Sequence, residues 1–163
     1  PVVLGARATL LVARLGGLGG RPLRRGDVLP VASSAPGGAE LGGRPAPPQG
    51  VPVRVVPGPH LHRFAPDAFA DFVAAPWRVS RLADRVGVRL EGARVARRDD
   101  DAGVPTPMIR GAVQVTTDGT PIVLGPDHPT TGGYPVLAVV PEDAWPDVAR
   151  VPPGGAMRFF SSA

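Results

Sequence analysis

The sequence predicts a mainly β protein, a barrel or sandwich of about seven short strands with little helix. Three observations point there. Glycine and proline number 22 each while aromatic residues make up only 5% of the chain, a balance that suits short strands joined by turns. The apolar runs are brief and stop at Gly, Pro or Asp-Gly punctuation. Helical spacing is confined to two short stretches.

Along the chain, Thr9 to Val12 alternates weakly and Asp27 to Val31 reads as a short strand; between them lies Gly16-Gly17-Leu18-Gly19-Gly20-Arg21-Pro22. Residues 32–50 are almost wholly Ala, Ser, Pro, Gly and Gln, a composition too poor in apolar surface to offset its ordering entropy, and are expected to be a flexible connector. Val51 to Val56 reads as a strand stopped by Pro57-Gly58-Pro59. Phe64, Ala68, Phe69 and Phe72 have helical spacing over a stretch that Pro66 and Asp67 initiate, and are expected in the core. Trp77 to Ser80 and Val88 to Leu90 read as strands with Asp84-Arg85 on their connection, and Arg94 to Gly103 as a charged loop. Met108 to Val115 and Pro121 to Leu124 flank Thr116-Thr117-Asp118-Gly119, a strong hairpin signal. Val136 to Val140 follows as a strand, Pro141 to Arg150 as a brief helix, and Met157 to Phe160 as a closing strand after Pro152-Pro153-Gly154-Gly155.

At 163 residues the chain suffices for one substantial core, so 1–163 is expected to be a single domain. It begins at Pro1 with no methionine before Met108, and is expected to be part of a longer protein. All 18 cationic side chains are arginine and the formal charge is +4. The arginines are scattered: Arg24-Arg25 and Arg97-Arg98 are isolated pairs, the second followed by Asp99-Asp100-Asp101, which reads as a charge-compensated surface rather than a nucleic-acid interface. Without cysteine there is no disulfide framework or thiolate metal site. No apolar run reaches the ~18 residues of a membrane span, so no membrane association is expected and a cytoplasmic location is favoured.

The segment Asp127-His128-Pro129-Thr130-Thr131-Gly132-Gly133-Tyr134 gathers a carboxylate, an imidazole, two hydroxyls and a phenol around a glycine pair. Thr130, Thr131, Gly132 and Gly133 offer hydroxyls and unobstructed N–H groups that together can cradle a carbonyl or carboxylate oxygen. Tyr134 adds a polar tip, and Gln114 on the preceding strand an amide. Asp127 and His128 are adjacent and face opposite ways on an extended chain, so Asp127 reads as holding the loop rather than acting as a base. Arg85 and Arg89 each carry a fork suited to a carboxylate. His60 and His62 share a face if extended, but no third ligand has convincing spacing, so no metal is expected. Neither a Walker-type phosphate loop nor a strand-linked dinucleotide fingerprint occurs.

These motifs resemble those of the biotin-dependent carboxyltransferase-like family that includes the C-type subunit of 5-oxoprolinase, allophanate-hydrolase-type second subunits and an antagonist of a sporulation-kinase inhibitor. The resemblance runs through Gly5-Ala6-Arg7-Ala8-Thr9, Gly16 to Leu29, Asp84-Arg85-Val86-Gly87-Val88-Arg89-Leu90-Glu91-Gly92, and the series from Gln114 to Pro135. It implies a cyclophilin-like β-barrel and the C-terminal portion of a longer subunit. It implies a homologous partner subunit and a third component, which together open the lactam of 5-oxoproline to glutamate at the expense of ATP. The alternatives within the family are carboxyl transfer from carboxybiotin to urea or a similar amide, with biotin as cofactor, and a non-enzymatic module that binds a homologous kinase-inhibitor subunit. Carried over by position, Asp127, Gln114 and Tyr134 are the candidate catalytic residues, and Arg7, Arg85, Thr130, Thr131, Gly132 and Gly133 the candidate substrate-binding residues. The sequence departs from the family pattern where Ala6 and Ala8 replace two serines, Thr116-Thr117 a proline pair and Pro129 a glutamine.

Overall fold

The structure is a computed structural model that describes residues 2–3, 5–30, 50–101 and 103–161. By its contacts the chain divides into two units, Pro1–Arg44 and Pro45–Ala163. Apart from Gly50, the connector read at 32–50 lies outside the described residues.

In the first unit the described residues carry isolated bridges, Val3 with Ala6 and Leu10 with Leu15, and a 3-10 segment over Gly17–Gly20 that the left-handed backbone of Leu18 and Gly19 breaks. Residues 27–30 form no strand, which corrects the extended reading of Asp27 to Val31. The reason is local. Asp27 turns back on its own chain, accepting from Arg21 Nη1 at 2.8 Å, Arg21 Nη2 at 2.7 Å and the Arg24 N–H at 2.7 Å, and such side-chain bonds compete with a ladder. The Arg21 guanidinium, then the Arg24 N–H, holds the Asp27 carboxyl down to about 2.

The second unit holds the barrel. Its strands are β1 (Val51–Pro57), β2 (Pro76–Val79), β3 (Gly87–Glu91), β4 (Thr106–Pro107), β5 (Ala112–Val115), β6 (Pro121–Leu124), β7 (Thr131–Gly132), β8 (Val136–Val139) and β9 (Ala156–Ser161), with helices α1 (Ala68–Ala74) and α2 (Trp145–Ala149). Seven strands close in the order β1, β8, β5, β6, β3, β2, β9, while β4 and β7 pair separately as a two-stranded ribbon. Neighbours are antiparallel except β9 beside β1, where Val51 lies opposite Met157 and Val55 opposite Ser161 in parallel. Closure removes the exposed strand edges that short strands would otherwise present. The mainly β barrel with two short helices matches the sequence expectation.

The core follows the two-residue period. Val51, Val53 and Val55 of β1 are buried between exposed or half-buried neighbours, as a strand with one apolar face requires. α1 begins after Asp67 and turns Ala68 and Phe72 inward. Phe72 stacks on Phe159 with ring centroids 4.6 Å apart and meets Trp77 at 5.3 Å, and the Trp77 indole N–H donates to the Phe72 carbonyl at 2.8 Å. Removing this ring leaves a cavity among well-packed neighbours, so Phe72→Ala is expected to cost about 3–5 kcal/mol in denaturant unfolding; a loss under ~1 kcal/mol would mean the helix is peripheral.

The β5–β6 hairpin forms as read, with Val113 opposite Val123 and Val115 opposite Pro121. Its N-terminal strand starts later than the apolar run from Met108, because the chain turns at Gly111, whose N–H donates to Leu124. The turn closes through Thr116 N–H to Thr120 O at 3.0 Å and Gly119 N–H to Thr116 O at 2.9 Å. Gly119 sits at φ 79°, where a Cβ would also lie 2.9 Å from the Val95 carbonyl, so both backbone and space demand glycine. Asp118 organises the turn by accepting from the Thr116 hydroxyl, from Thr120 Oγ1 at 2.9 Å and from Arg94 at 2.7 Å. The Thr116 and Thr120 hydroxyl bonds pull its carboxyl down to about 2. A carboxyl lowered on folding stabilises above its unfolded value and loses that contribution as pH falls through its folded value. Urea midpoints are therefore expected to drop between pH 4 and pH 2 in the wild type and to drop less in Asp118→Asn; equal drops would remove Asp118 from the account.

Candidate functional site

The candidate site is built around β5, all four of whose residues are buried. Val113 and Val115 face the main core, whereas Ala112 joins Met108, Leu124 and Val136 in a second apolar cluster. A bulge divides the two faces: Val113 pairs with Ala138, but Gln114 pairs with Val136, leaving Leu137 as the extra residue on β8. Bulges re-aim side chains in this way. Over this second face lies the β4–β7 ribbon, with Thr106 opposite Gly132 and Pro107 opposite Thr131, and the Met108 N–H donating to Thr130 O at 2.9 Å.

Gln114 is sealed beneath the ribbon at 6% exposure. Its Nε2 donates to the Tyr134 carbonyl at 3.1 Å and contacts Met108 Sδ at 3.3 Å. A Cβ on Gly132 would stand 2.6 Å from that nitrogen, so glycine is what lets the rim backbone close over the amide. No donor reaches Gln114 Oε1 among the described residues. Thr130 and Thr131 remain exposed while Gly132, Gly133 and Tyr134 are half-buried. The structure thus brings Gln114, Thr130, Thr131, Gly132, Gly133 and Tyr134 into one rim.

Arg85 and Asp127 form a second group at the start of the same loop. Arg85 Nε donates to Asp127 Oδ2 at 2.7 Å and Nη2 to Oδ1 at 2.9 Å, and the Asp127 N–H donates to the Arg85 carbonyl at 3.0 Å. The connection bearing Arg85 is set by Asp84, whose Oδ1 accepts from the N–H groups of Val86 and Gly87. Asp127 therefore fastens the loop to the β2–β3 connection, and its fork partner keeps its carboxyl below the usual carboxylate value. The side chains are 73% and 50% exposed, so this pair orients the loop and adds little stability. Arg7 lies in the first unit and is exposed. His128 turns its Nδ1 to the Pro129 carbonyl at 2.8 Å, away from any base role with Asp127. In Arg85→Gln the Asp127 carboxyl is expected to titrate nearer the ordinary aspartate value, read by carboxyl NMR; an unaltered titration would show that Arg85 is not the cause.

Several residues escaped the sequence reading. Met108 and Thr106 build the ribbon that covers Gln114, and a two-residue strand carries no periodic signal. The charged segment 94–103 is not simply a solvated surface: the Arg97 side chain is 3% exposed. Arg97 donates to the Val115 carbonyl at 3.3 Å and to Asp99 at 3.0 Å, and Arg63 grips Asp99 through Nε at 3.0 Å and Nη2 at 2.6 Å. Arg97 Nε is a buried donor without a hydrogen-bond partner among the described residues. A Cβ on Gly103 would collide with Arg63 Nη1 and lie 3.2 Å from the Gly133 carbonyl, so this half-buried cluster stands behind the rim. Pairing Arg63 with Asp99 spans 36 residues, beyond any local spacing rule.

His60 and His62 do not form a shared extended face. Residues Leu61–Arg63 make a 3-10 turn, the two rings meet edge-on at 6.2 Å, and His60 Nδ1 accepts the Val136 N–H at 3.0 Å. Among the described residues no three His, Asp or Glu side chains gather to hold a metal, and no helix is long and apolar enough to cross a membrane.

The closed seven-stranded barrel with its two short helices defines a mainly β chain. The chain belongs to the family described as carboxyltransferase domain, subdomain A and B, which it matches over residues 1–161. It is 36% identical over 159 residues to the C-type 5-oxoprolinase subunit of Escherichia coli (strain K12), covering 98% of this chain and 51% of that protein. It is 32% identical over 184 residues to urea amidolyase of Lachancea kluyveri, covering 98% of this chain and 10% of that protein. The crystal structure of the Kluyveromyces lactis urea carboxylase superposes with a TM-score of 0.74 at 26% identity, covering 100% of this chain and 16% of that one. The chain spans about half the length of the 5-oxoprolinase subunit it matches, 51%.

Proposed function

We propose that this chain is the C-terminal portion of a subunit of an ATP-dependent 5-oxoprolinase, acting with a homologous partner subunit and a third component and inactive alone. The observation that carries this reading is the rim from Thr130 to Tyr134, pinned from below by Gln114, in a chain related to a 5-oxoprolinase subunit. A lactam resists hydrolysis because its C–N bond is resonance-stabilised and its nitrogen leaves poorly. Transfer of the ATP γ-phosphoryl group to the carbonyl oxygen releases ADP; attack of one water on that carbon and departure of the nitrogen with a proton leaves the acyl phosphate of glutamate, and a second water cleaves it to glutamate and phosphate. In that sequence the Thr130 and Thr131 hydroxyls, the Gly132 and Gly133 N–H groups and the Tyr134 phenol stabilise the oxygen on which charge develops. Gln114 holds the rim, and Asp127 and Arg85 fix the loop. ATP binds elsewhere in the assembled complex, which is cytoplasmic.

The relation to urea amidolyase supports a second reading, carboxyl transfer from carboxybiotin to urea or a similar amide, in which the rim receives a ureido ring. The two are separated by assembling the full-length protein with its genomic neighbours and measuring ADP release with 5-oxoproline, against carboxyl transfer to urea with a biotinylated carrier. ADP release dependent on 5-oxoproline is the expected result; a stable complex without turnover on either substrate would leave a non-enzymatic binding module. Tyr134→Phe and Thr131→Val are each expected to lower kcat/KM by ~10²-fold if they lose a donor to the oxyanion. Unaltered kinetics in both would move the site off the rim.

A further inference from the structure

The β1–β8 ladder stops just short of the rim. Val56 lies opposite Val139 and Pro57 opposite Ala138, and past Pro57 the Gly58 N–H still reaches the Leu137 carbonyl at 2.8 Å. One residue nearer the rim, at Val136, His60 takes over with both its backbone and its side chain. Its N–H donates to the Val136 carbonyl at 3.3 Å, and its Nδ1 accepts the Val136 N–H at 3.0 Å. Val136 is buried at 3% exposure, and a buried N–H is rarely left without an acceptor. Pro135 has no N–H of its own, so Val136 carries the first backbone donor after Tyr134. Towards β5, the Pro135 carbonyl accepts from the Val115 N–H at 3.0 Å and the Tyr134 carbonyl from Gln114 Nε2 at 3.1 Å. The end of the rim is thus clamped between β5 and one imidazole.

The donor in the His60 bond is a backbone amide, which can only donate. Nδ1 is therefore bare, and the neutral ring carries its proton on Nε2. An imidazolium has an N–H at both nitrogens and would set a donor against a donor, so protonating His60 and keeping this bond exclude one another. The charges that face the ring come from its own turn: His62, whose ring meets it edge-on at 6.2 Å, and Arg63. From the ribbon, β5 and β8 its neighbours are Thr106, Met108, Ala112, Val136 and Val139, none of them titratable. Among the described residues no carboxylate stands against the ring to favour the cation. Burial first, then His62 and Arg63, hold its pKa below the ordinary histidine value. The bond is therefore intact above the ordinary value of about 6.5 and is lost as pH falls through the lower folded value.

We propose that His60 is a positioning residue that makes the rim acid-sensitive: the neutral imidazole fixes Val136, Val136 fixes the Tyr134–Pro135 segment against β5, and the imidazolium releases it. This rests on the reading of the rim as the site and adds to it a regulation of that site by protons. The step is local. One proton goes onto Nδ1, the Val136 N–H loses its acceptor, the ring swings away, and the Tyr134 carbonyl is no longer held over Gln114 Nε2. The barrel keeps its other fastenings, among them the five parallel pairs between β1 and β9. His60 touches neither the hydroxyls nor the glycine N–H groups of the rim; it acts on them through the backbone of β8.

The test is NMR of the 15N-labelled full-length protein from pH 7.5 to pH 4.5, read at the His60 ring, at the 15N–15N coupling across the Val136 N–H to Nδ1 bond, and at the Gln114 side-chain amide. The expected result is that the coupling vanishes and the Gln114 amide shifts with the same midpoint at which the His60 ring protonates. In His60→Asn, whose side-chain oxygen can accept the Val136 N–H but does not titrate, the Gln114 shift over this range is expected to shrink at least fivefold. Exchange of the Val136 N–H at pH 7 is expected to be at least tenfold faster in His60→Ala and to return towards the wild-type rate in His60→Asn. An unshifted Trp77 indole N–H shows that the barrel is intact in each variant; should a variant fail to fold, the wild-type midpoints decide. A coupling that persists through His60 protonation, or a Gln114 amide that stays still while the coupling is lost, would overturn the inference. A Gln114 shift of wild-type size in folded His60→Asn would also overturn it. None of these readouts needs a substrate, so the turnover assay of the assembled complex judges the functional reading separately.

Discussion

The site depends on one buried contact, the Gln114 amide held between β5 and the backbone of Tyr134. Gln114 is a polar side chain on the outer face of a barrel strand, where solvent would normally satisfy it. Here the β4–β7 ribbon folds over that face and excludes water, and the amide compensates by donating to the Tyr134 carbonyl. An unsatisfied buried amide costs on the order of 1–3 kcal/mol, so the rim backbone and the amide hold each other in place. The bulge at Leu137 and the missing side chain at Gly132 are the two local features that let the ribbon come close enough.

The charges near the rim are already spent on one another. Arg85 gives its fork to Asp127, and Arg63 and Arg97 converge on Asp99 behind Gly103. These arginines act as struts: Arg85 anchors the start of the loop and the Arg63–Asp99–Arg97 cluster supports its end at Gly133. The rim itself carries no charged side chain from Thr130 to Tyr134, and of these residues Thr130 and Thr131 are exposed.

Much of the barrel was legible in the residues. Val51, Val53 and Val55 announce β1 by strict alternation, Asp118-Gly119 announces the hairpin, and the helical spacing of Phe64, Ala68 and Phe72 announces the buried face at α1. These signals are local, with partners close in sequence or a period that a single strand displays. The rim from Thr130 to Tyr134 was legible as a polar, glycine-hinged segment, yet its supports were not. β4 is two residues long and contains a proline, so it shows no alternation; Arg97 looks like surface because its burial comes from Phe64 and Val115, which are remote in the sequence. Asp27 to Val31 misled in the opposite direction: apolar residues suggest a strand, while Asp27 bonds to Arg21 and Arg24 and curls the chain. Asp127 was read as holding its loop, and its partner, Arg85, lies 42 residues away.

Because Gln114 is held to pin the ribbon, the most direct measurement is amide hydrogen exchange at Met108, whose N–H crosses the ribbon to Thr130, in the wild type and in Gln114→Leu. Leucine keeps the volume and removes the amide. The expected result is Met108 exchange at least tenfold faster in the variant, with the barrel-core amides of Val53 and Val113 unchanged. Equal protection at Met108 in both proteins would show that the ribbon closes without Gln114 and would contradict this account of the site.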